Sequence, residues 1–213
     1  MLPDLKSFQG HSSNQIIARL NADGYQEIDS QVYRSADASH LLHLSNAPDL
    51  TAAFCRACQD GAPNEFLPVV YDHATISSDL HVSVTENMRC VSEFEANMHT
   101  TVFGHARAVS SMFEGDEMHA DVHRFMASDD TMRDAMMRVV DCALDTKKSV
   151  TIDPCGNSIM FRHNENGCRT VFARPFVARD DLSPKECEKH LNWIKNRHSQ
   201  AERDAAASPY WHG

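Results

Sequence analysis

The sequence contains no apolar run long enough to cross a bilayer. A membrane-spanning helix needs about 20 consecutive apolar residues, and the longest apolar run in this chain of 213 residues falls far short of that length. The chain also shows no internal repeat and no low-complexity domain. We therefore predict a protein without a membrane span.

Basic residues are scarce relative to acidic ones. The chain has 20 Lys and Arg against 30 Asp and Glu, a formal net charge of −10 at pH 7. Binding to nucleic acid through bulk electrostatics needs clustered Lys and Arg. No nucleic-acid partner is expected.

A secretory signal with an apolar core is also lacking ahead of the seven cysteines. Their odd number and scattered positions predict reduced thiols in a reducing cytosol. Cys55 and Cys58 have the spacing of redox and zinc sites, but no second pair or Cys/His cluster completes them nearby in the sequence. Core packing in a helix is the preferred interpretation of this pair.

Ordinary proportions of hydrophobic (42%) and charged (23%) residues predict a globular fold. We predict a flexible leader over residues 1–14, a single globular domain over 15–198 and a flexible tail over 199–213. In the first part of the domain, periodicity and turn signals predict helices over 15–21, 38–44 and 48–59, strands over 25–35 and 65–71, and a loop over 72–78.

Residues 79–99 form the stretch around which the site predictions are organised. Leu80, Val82 and Val84 alternate with polar residues, which predicts a half-buried strand. Thr85 follows, and its hydroxyl is suited to cap a helix with apolar spacing. Because a helix N-terminus offers free N–H groups, this junction suits an anion or a ribose phosphate.

The second half of the chain predicts a helix packed on strands. Apolar residues recur at helical spacing over 130–145. Strands are predicted over 100–109 and, as a three-stranded meander, over 149–153, 157–163 and 168–172. Ser183 and Glu186 form a capping box for a last helix that ends near Arg197. The class is therefore α+β, with a central mixed or split sheet and flanking helices.

Two short motifs resemble those of a known enzyme family. Tyr33 and Arg34 end an early predicted strand, and Ser83, Val84 and Thr85 lie about fifty residues later. Together they resemble the R-S-E pattern of cholera-toxin-like mono-ADP-ribosyltransferases, with Val84 in place of the middle hydroxyl residue. The family's third motif, Glu/Gln-x-Glu, is not matched.

The resemblance implies an NAD-dependent transferase acting on a protein, as a secreted bacterial effector or toxin. Arg34, with Tyr33 beside it, would bind the NAD pyrophosphate through a bidentate fork. Ser83 and Thr85 would order the nicotinamide ribose region. Glu117 or Glu114 would supply the carboxylate that stabilises the oxocarbenium-like centre.

Four other functions remain open. The first is a non-catalytic adaptor that binds a host protein. The second is a metal-dependent hydrolase in which His119 and His123 share a helix face. The third is a hydrolase assembled from Cys55 or Cys90 with His73 and Asp72. The fourth is a small ribonuclease, since the helix and meander resemble barnase-like enzymes, although the net charge counts against RNA.

Overall fold

A computed structural model of the protein describes residues 2–90, 130–152, 159–164, 167–179 and 181–207. The chain divides into two compact units. The first comprises Met1–Pro63, Leu67–Cys90 and Phe161–Arg169, and the second comprises Asn64–Phe66, Val91–Met160 and Thr170–Gly213. That residues 15–198 form one domain stays a prediction.

The first unit is built on an antiparallel sheet of five strands. Its elements are a 3-10 helix (Leu5–Phe8), α1 (Ser13–Ala22), β1 (Gln26–Asp29), β2 (Val32–Arg34), β3 (His40–Ser45), α2 (Pro48–Asp60), β4 (Val70–Ser77), β5 (Leu80–Glu86) and the short β6 (Arg89–Cys90). The strands lie in the order β1-β2-β3-β5-β4, and three pairs of consecutive strands form hairpins: β1-β2, β2-β3 and β4-β5.

One face of this sheet forms a conventional apolar core. Strand side chains alternate between faces, so Tyr33, Leu42 and Val84, which are cross-strand neighbours, point to the same side. Ile16 and Leu20 of α1 are fully buried in the same cluster. Leu5 and Phe8 also belong to this core, each 2% exposed.

The second unit has its own core between two helices. Its elements are α3 (Asp130–Thr146), β7 (Val150–Ile152), β10 (Phe176–Ala178) and α4 (Pro184–Ala207), and β7 pairs antiparallel with β10. Buried side chains of α3 and α4 fill this core: Met132, Ala135, Met136, Val139, Val140, Cys187, Leu191 and Ile194. Lys195 Nζ donates to Asp141 at 2.6 Å and ties the two helices at the surface.

The α+β class is confirmed, with helices and antiparallel sheets in the described residues. Helices predicted over 15–21, 48–59 and 130–145 correspond to α1, α2 and α3. The capping box is present as well: Ser183 N donates to Glu186 Oε2 at 2.8 Å, and Glu186 N donates to Ser183 Oγ at 3.3 Å. The predicted strand over 25–35 is a hairpin, because the chain turns at Gln31, whose φ is 62°.

Several predicted elements of the first unit are wrong. The helix over 38–44 is strand β3, which is paired on both sides and buried from His40 to Leu44; a strand buried on both faces carries no alternation by which to recognise it. Residues 72–77 of the loop predicted over 72–78 belong to β4, and the strand predicted over 65–71 begins only at Val70. Most importantly, β5 continues through Thr85 to Glu86, so no helix begins at Thr85.

Leu5 and Phe8 of the predicted leader are buried in the core of the first unit, and the flexibility of residues 1–14 stays a prediction. Three other predictions need correction. The last helix runs to Ala207 instead of ending near Arg197. The three-stranded meander is wrong, because β7 pairs with β10, whereas β8 (Ile159–Asn164) and β9 (Gly167–Phe172) join β6 in the order β6-β8-β9. The five-stranded sheet is antiparallel rather than mixed, and the strand predicted over 100–109 lies outside the described residues.

Candidate functional site

A layer of buried polar side chains lies on the second face of the five-stranded sheet. On β5 this face carries His81, Ser83 and Thr85, which are 0%, 4% and 4% exposed. The cross-strand partners of Ser83 are His43 on β3 and His73 on β4. Directly paired residues share a face of a sheet, so all five side chains lie on the same side.

Helix α2 packs against β4 and β5. The helix begins with Pro48 and buries one side, which includes Leu50, Phe54 and Cys55. The alternation along β5 predicted a half-buried strand, but the helix covers its polar side while the first core covers its apolar side. For this reason the polar residues of β5 lie in the interior.

Three potential ligand groups converge in this layer. One ligand atom from each of Cys55, His73 and His81 lies within 4.8 Å of the others. The two imidazole rings are 5.3 Å apart between centroids, with 34° between their planes. The three residues come from α2, β4 and β5, so the tertiary fold alone assembles them.

The two imidazoles of this cluster each have a buried nitrogen without a hydrogen-bond partner among the described residues, Nδ1 of His73 and Nε2 of His81. The other nitrogen of His81, Nδ1, lies 3.1 Å from Thr75 Oγ1. Buried polar atoms are nearly always hydrogen-bonded in folded proteins. Two such atoms side by side therefore require an explanation.

Burial keeps both imidazoles in the neutral form. The pKa of His81 is lowered to about 4, chiefly by desolvation and in addition by the neighbouring His73 and Arg56. The pKa of His73 is also lowered, chiefly by burial and then by Arg56, against the smaller opposing effects of Asp72 and Asp60. Neutral imidazole is the form that binds metal ions.

Thr85 makes a separate contact in the same layer. Its Oγ1 lies 2.9 Å from Nε2 of His43, and the hydroxyl also lies 3.3 Å from the carbonyl oxygen of Glu86. His43 and Thr85 are 5% and 4% exposed. The Thr85 hydroxyl therefore orders the interior of the sheet instead of capping a helix.

Arg34 shares its face with the predicted hydroxyl residues. Arg34 pairs with Leu41, and Leu41 pairs with Thr85, so the three residues form one row across β2, β3 and β5. At a strand spacing of about 4.8 Å, Arg34 and Thr85 are separated by roughly 10 Å along this row. Arg34 is partly exposed, and its Nε is buried without a hydrogen-bond partner within the described part of the chain.

Tyr33 does not join this arrangement. As the neighbour of Arg34 on β2 it points to the opposite face, where it is 2% exposed in the apolar core. The pKa of its hydroxyl is raised, mainly by burial. The charge of Glu27 and a hydrogen bond to Glu27 raise the pKa further. Strand alternation puts the side chain of Tyr33 on the face opposite Arg34, and its contact with NAD stays a prediction.

The remaining predicted site residues divide into two groups. Glu114 and Glu117, like His119 and His123, lie outside the described residues. Cys55 and His73 do meet, as the proposed hydrolase required, but Asp72 pairs with Val84 and is exposed on the other face. His81, not Asp72, is the third residue of this cluster. The one sequence signal for it was the alternation along β5, which places His81 on the same face as Ser83 and Thr85.

Comparison with known proteins adds no relative. The chain matches no protein-family model, no curated protein and no solved structure. In the part of the chain that the structure describes, no helix combines the length and the apolarity that a membrane crossing requires.

Proposed function

We propose that the protein transfers ADP-ribose from NAD to a protein, as a secreted bacterial effector. One observation supports this function: Arg34, Ser83 and Thr85, the residues of the two motifs, lie on one face of one sheet. Their strands are not adjacent, because β3 lies between β2 and β5.

Arg34 is the residue that would contact NAD. A guanidinium binds a pyrophosphate through two parallel hydrogen bonds, and the buried, unpartnered Nε of Arg34 within the described residues gives it a donor to offer. Ser83 and Thr85 are too buried to touch a dinucleotide directly. They would act as positioning residues that hold β5 beneath the site.

In the transfer itself, the bond between nicotinamide and C1′ of the ribose breaks, and nicotinamide leaves with the bonding electrons. The acceptor side chain forms the new bond to C1′ with its lone pair and releases its proton to a carboxylate. Glu117 or Glu114 is proposed as this carboxylate, which would also stabilise the positive charge at C1′ before attack.

The test is incubation of the purified protein with labelled NAD and host lysate. The wild-type protein is expected to label a lysate protein, and Arg34→Ala should reduce this labelling at least a hundredfold. Arg34→Lys should label little better than Arg34→Ala, because lysine lacks the two-pronged guanidinium. Arg19→Ala is the matched control, since Arg19 is exposed on α1, against the other face. Absence of both labelling and calorimetric NAD binding in the wild type would remove this proposal.

A second function, a non-catalytic adaptor, is favoured by the edge of the same sheet. Among the described strands, β4 has a strand neighbour on one side alone. Val69 and Tyr71, at its start, are 49% and 45% exposed. An extended segment of a partner protein would add a strand to β4, with these two apolar side chains providing contacts.

The adaptor is tested by a stoichiometric pull-down from host lysate. Binding of the partner should be retained by Arg34→Ala and by Ser83→Ala. It should be lost from the double variant Val69→Lys, Tyr71→Lys. Leu2→Lys serves as the control, because Leu2 is a similarly exposed apolar residue (46%) that is not part of β4. Retention of the partner by the double variant would exclude docking on this edge.

A further inference from the structure

We propose that Cys55, His73 and His81 form a binding site for a transition-metal ion, with Zn²⁺ as the best match. The site is independent of the Arg34 row and of the edge of β4. The inference stands on the placement of the three donors, on their unpaired nitrogens and on the chemistry of the donor set.

The placement is close to that of a coordination sphere. His73 and His81 lie diagonally across the β4-β5 pair, since His73 pairs with Ser83 and His81 pairs with Thr75. Cys55 reaches them from the covering helix, and the ligand atoms lie within 4.8 Å of one another. Tetrahedral bonding to zinc at about 2.0 to 2.3 Å puts ligand atoms about 3.3 to 3.7 Å apart. From separations of up to 4.8 Å, a contraction of about 1.5 Å at most would complete the geometry.

The hydrogen bonding of His81 selects its free nitrogen for the metal. Thr75 Oγ1 lies 3.1 Å from Nδ1 of His81. In the tautomer with the ring proton on Nδ1, Thr75 Oγ1 accepts that proton, and the lone pair is on Nε2, which has no hydrogen-bond partner among the described residues. Histidine ligands usually have such an oxygen acceptor on the second nitrogen, and it fixes the tautomer and the ring orientation. Nδ1 of His73 is likewise buried without a hydrogen-bond partner among the described residues.

The donor set then identifies the class of ion. One thiolate and two imidazoles suit zinc and its neighbours Co²⁺ and Cu²⁺. Magnesium and calcium prefer oxygen ligands and are not expected to bind. The described residues supply three donors, and a fourth ligand such as water would complete the tetrahedron. Cys55 and His81 are 2% and 0% exposed, so the ion would be enclosed between helix and sheet.

The first experiment uses the full wild-type chain after treatment with a chelator. Titration with ZnCl₂ or CoCl₂ alone is expected to bind one ion per chain. The Co²⁺ form should show the intense visible absorption of a tetrahedral site and a thiolate-to-cobalt charge-transfer band. X-ray absorption at the zinc edge should count one sulfur and two imidazole nitrogens. Absence of uptake by the folded protein, or a shell containing only oxygen, would overturn the proposal.

Substitutions then assign the donors. Cys55→Ala should abolish the charge-transfer band, and His73→Ala should weaken zinc binding by at least a hundredfold. The matched controls are Cys58→Ala, three residues further along α2, and His11→Ala, a histidine outside the cluster; both should bind as wild type does. Because His73 is only partly buried, its variant is expected to fold. A band that survives Cys55→Ala and disappears in Cys58→Ala would refute the assignment, as would unchanged affinity in a folded His73→Ala.

Discussion

Arg162 and Glu86 form a bidentate ion pair within the first unit. Nε of Arg162 lies 2.6 Å from Oε2 of Glu86, and the second guanidinium nitrogen donates to Oε1. The side chains are 17% and 13% exposed. Both side chains also bond to the backbone of the segment between α2 and β4. Arg162 donates to the carbonyl oxygen of Leu67 at 2.8 Å. Glu86 accepts from the N–H of Val69 at 2.8 Å.

Removing one partner of this pair should destabilise the protein. Arg162→Met leaves the Glu86 carboxylate largely desolvated and without its cation, which costs about 3 kcal/mol for a mostly buried pair. Denaturant unfolding measures the change. The comparison is Arg19→Met, whose ion pair with Asp23 is exposed and should contribute less than about 1 kcal/mol. Equal effects of the two substitutions would show that the Arg162 pair contributes no more than a surface pair.

Zinc should raise the melting temperature if the cluster binds it. An ion that binds only the folded state raises the free energy of unfolding by about 2.7 kcal/mol when its free concentration is a hundred times the dissociation constant. For a chain of this size that corresponds to about 5 to 10 °C. Differential scanning calorimetry of wild type and Cys55→Ala, with zinc and with chelator, measures the effect. The shift should be absent from the variant, and an equal shift in both proteins would place the ion elsewhere.

Acid should destabilise the metal-free protein through His81. Its pKa is about 4 in the fold against 6.5 unfolded, so between these values the unfolded chain binds the extra proton. Stability from this group is therefore complete above about pH 6.5 and is lost as the pH falls toward 4. The groups that face it are His73 on β4 and Cys55 and Arg56 on α2.

At about 1.4 kcal/mol per pKa unit, the loss from His81 amounts to about 3 kcal/mol over this interval. Urea unfolding between pH 4 and pH 7, in the presence of chelator, gives the pH dependence. His81→Gln should reduce the change in unfolding free energy between pH 4 and pH 7 by this amount. His11→Gln should leave that change as it is in the wild type. A curve of undiminished steepness in His81→Gln would assign the acid sensitivity to other groups.

The N-terminus of α4 depends on its capping box. Ser183→Ala removes the oxygen that accepts the Glu186 N–H and should cost about 1 kcal/mol. Lys185→Ala is the control, because Lys185 lies in the same turn but is exposed and outside the box. Thermal unfolding by circular dichroism compares them, and an equal loss in both would mean that the cap contributes no specific stability.

The sequence by itself determined the elements whose signals are local. The helical spacing of Met132, Met136, Val139 and Val140 defines α3, and Ser183 with Glu186 marks the start of α4, because capping and periodicity depend on residues three or four positions apart. The alternation of Leu80, Val82 and Val84 likewise defined β5. These patterns sufficed for the α+β class.

Only the tertiary structure decided which side chains meet. Whether the polar side of β5 faces water or a helix depends on where α2 packs, and no local pattern encodes that position. The same packing buries Thr85 inside a strand, separates Tyr33 from Arg34 and brings Cys55 to His73 and His81. The candidate metal site comes from three elements distant in sequence, so the sequence supplied its donors and the packing of α2 on the sheet supplied the site.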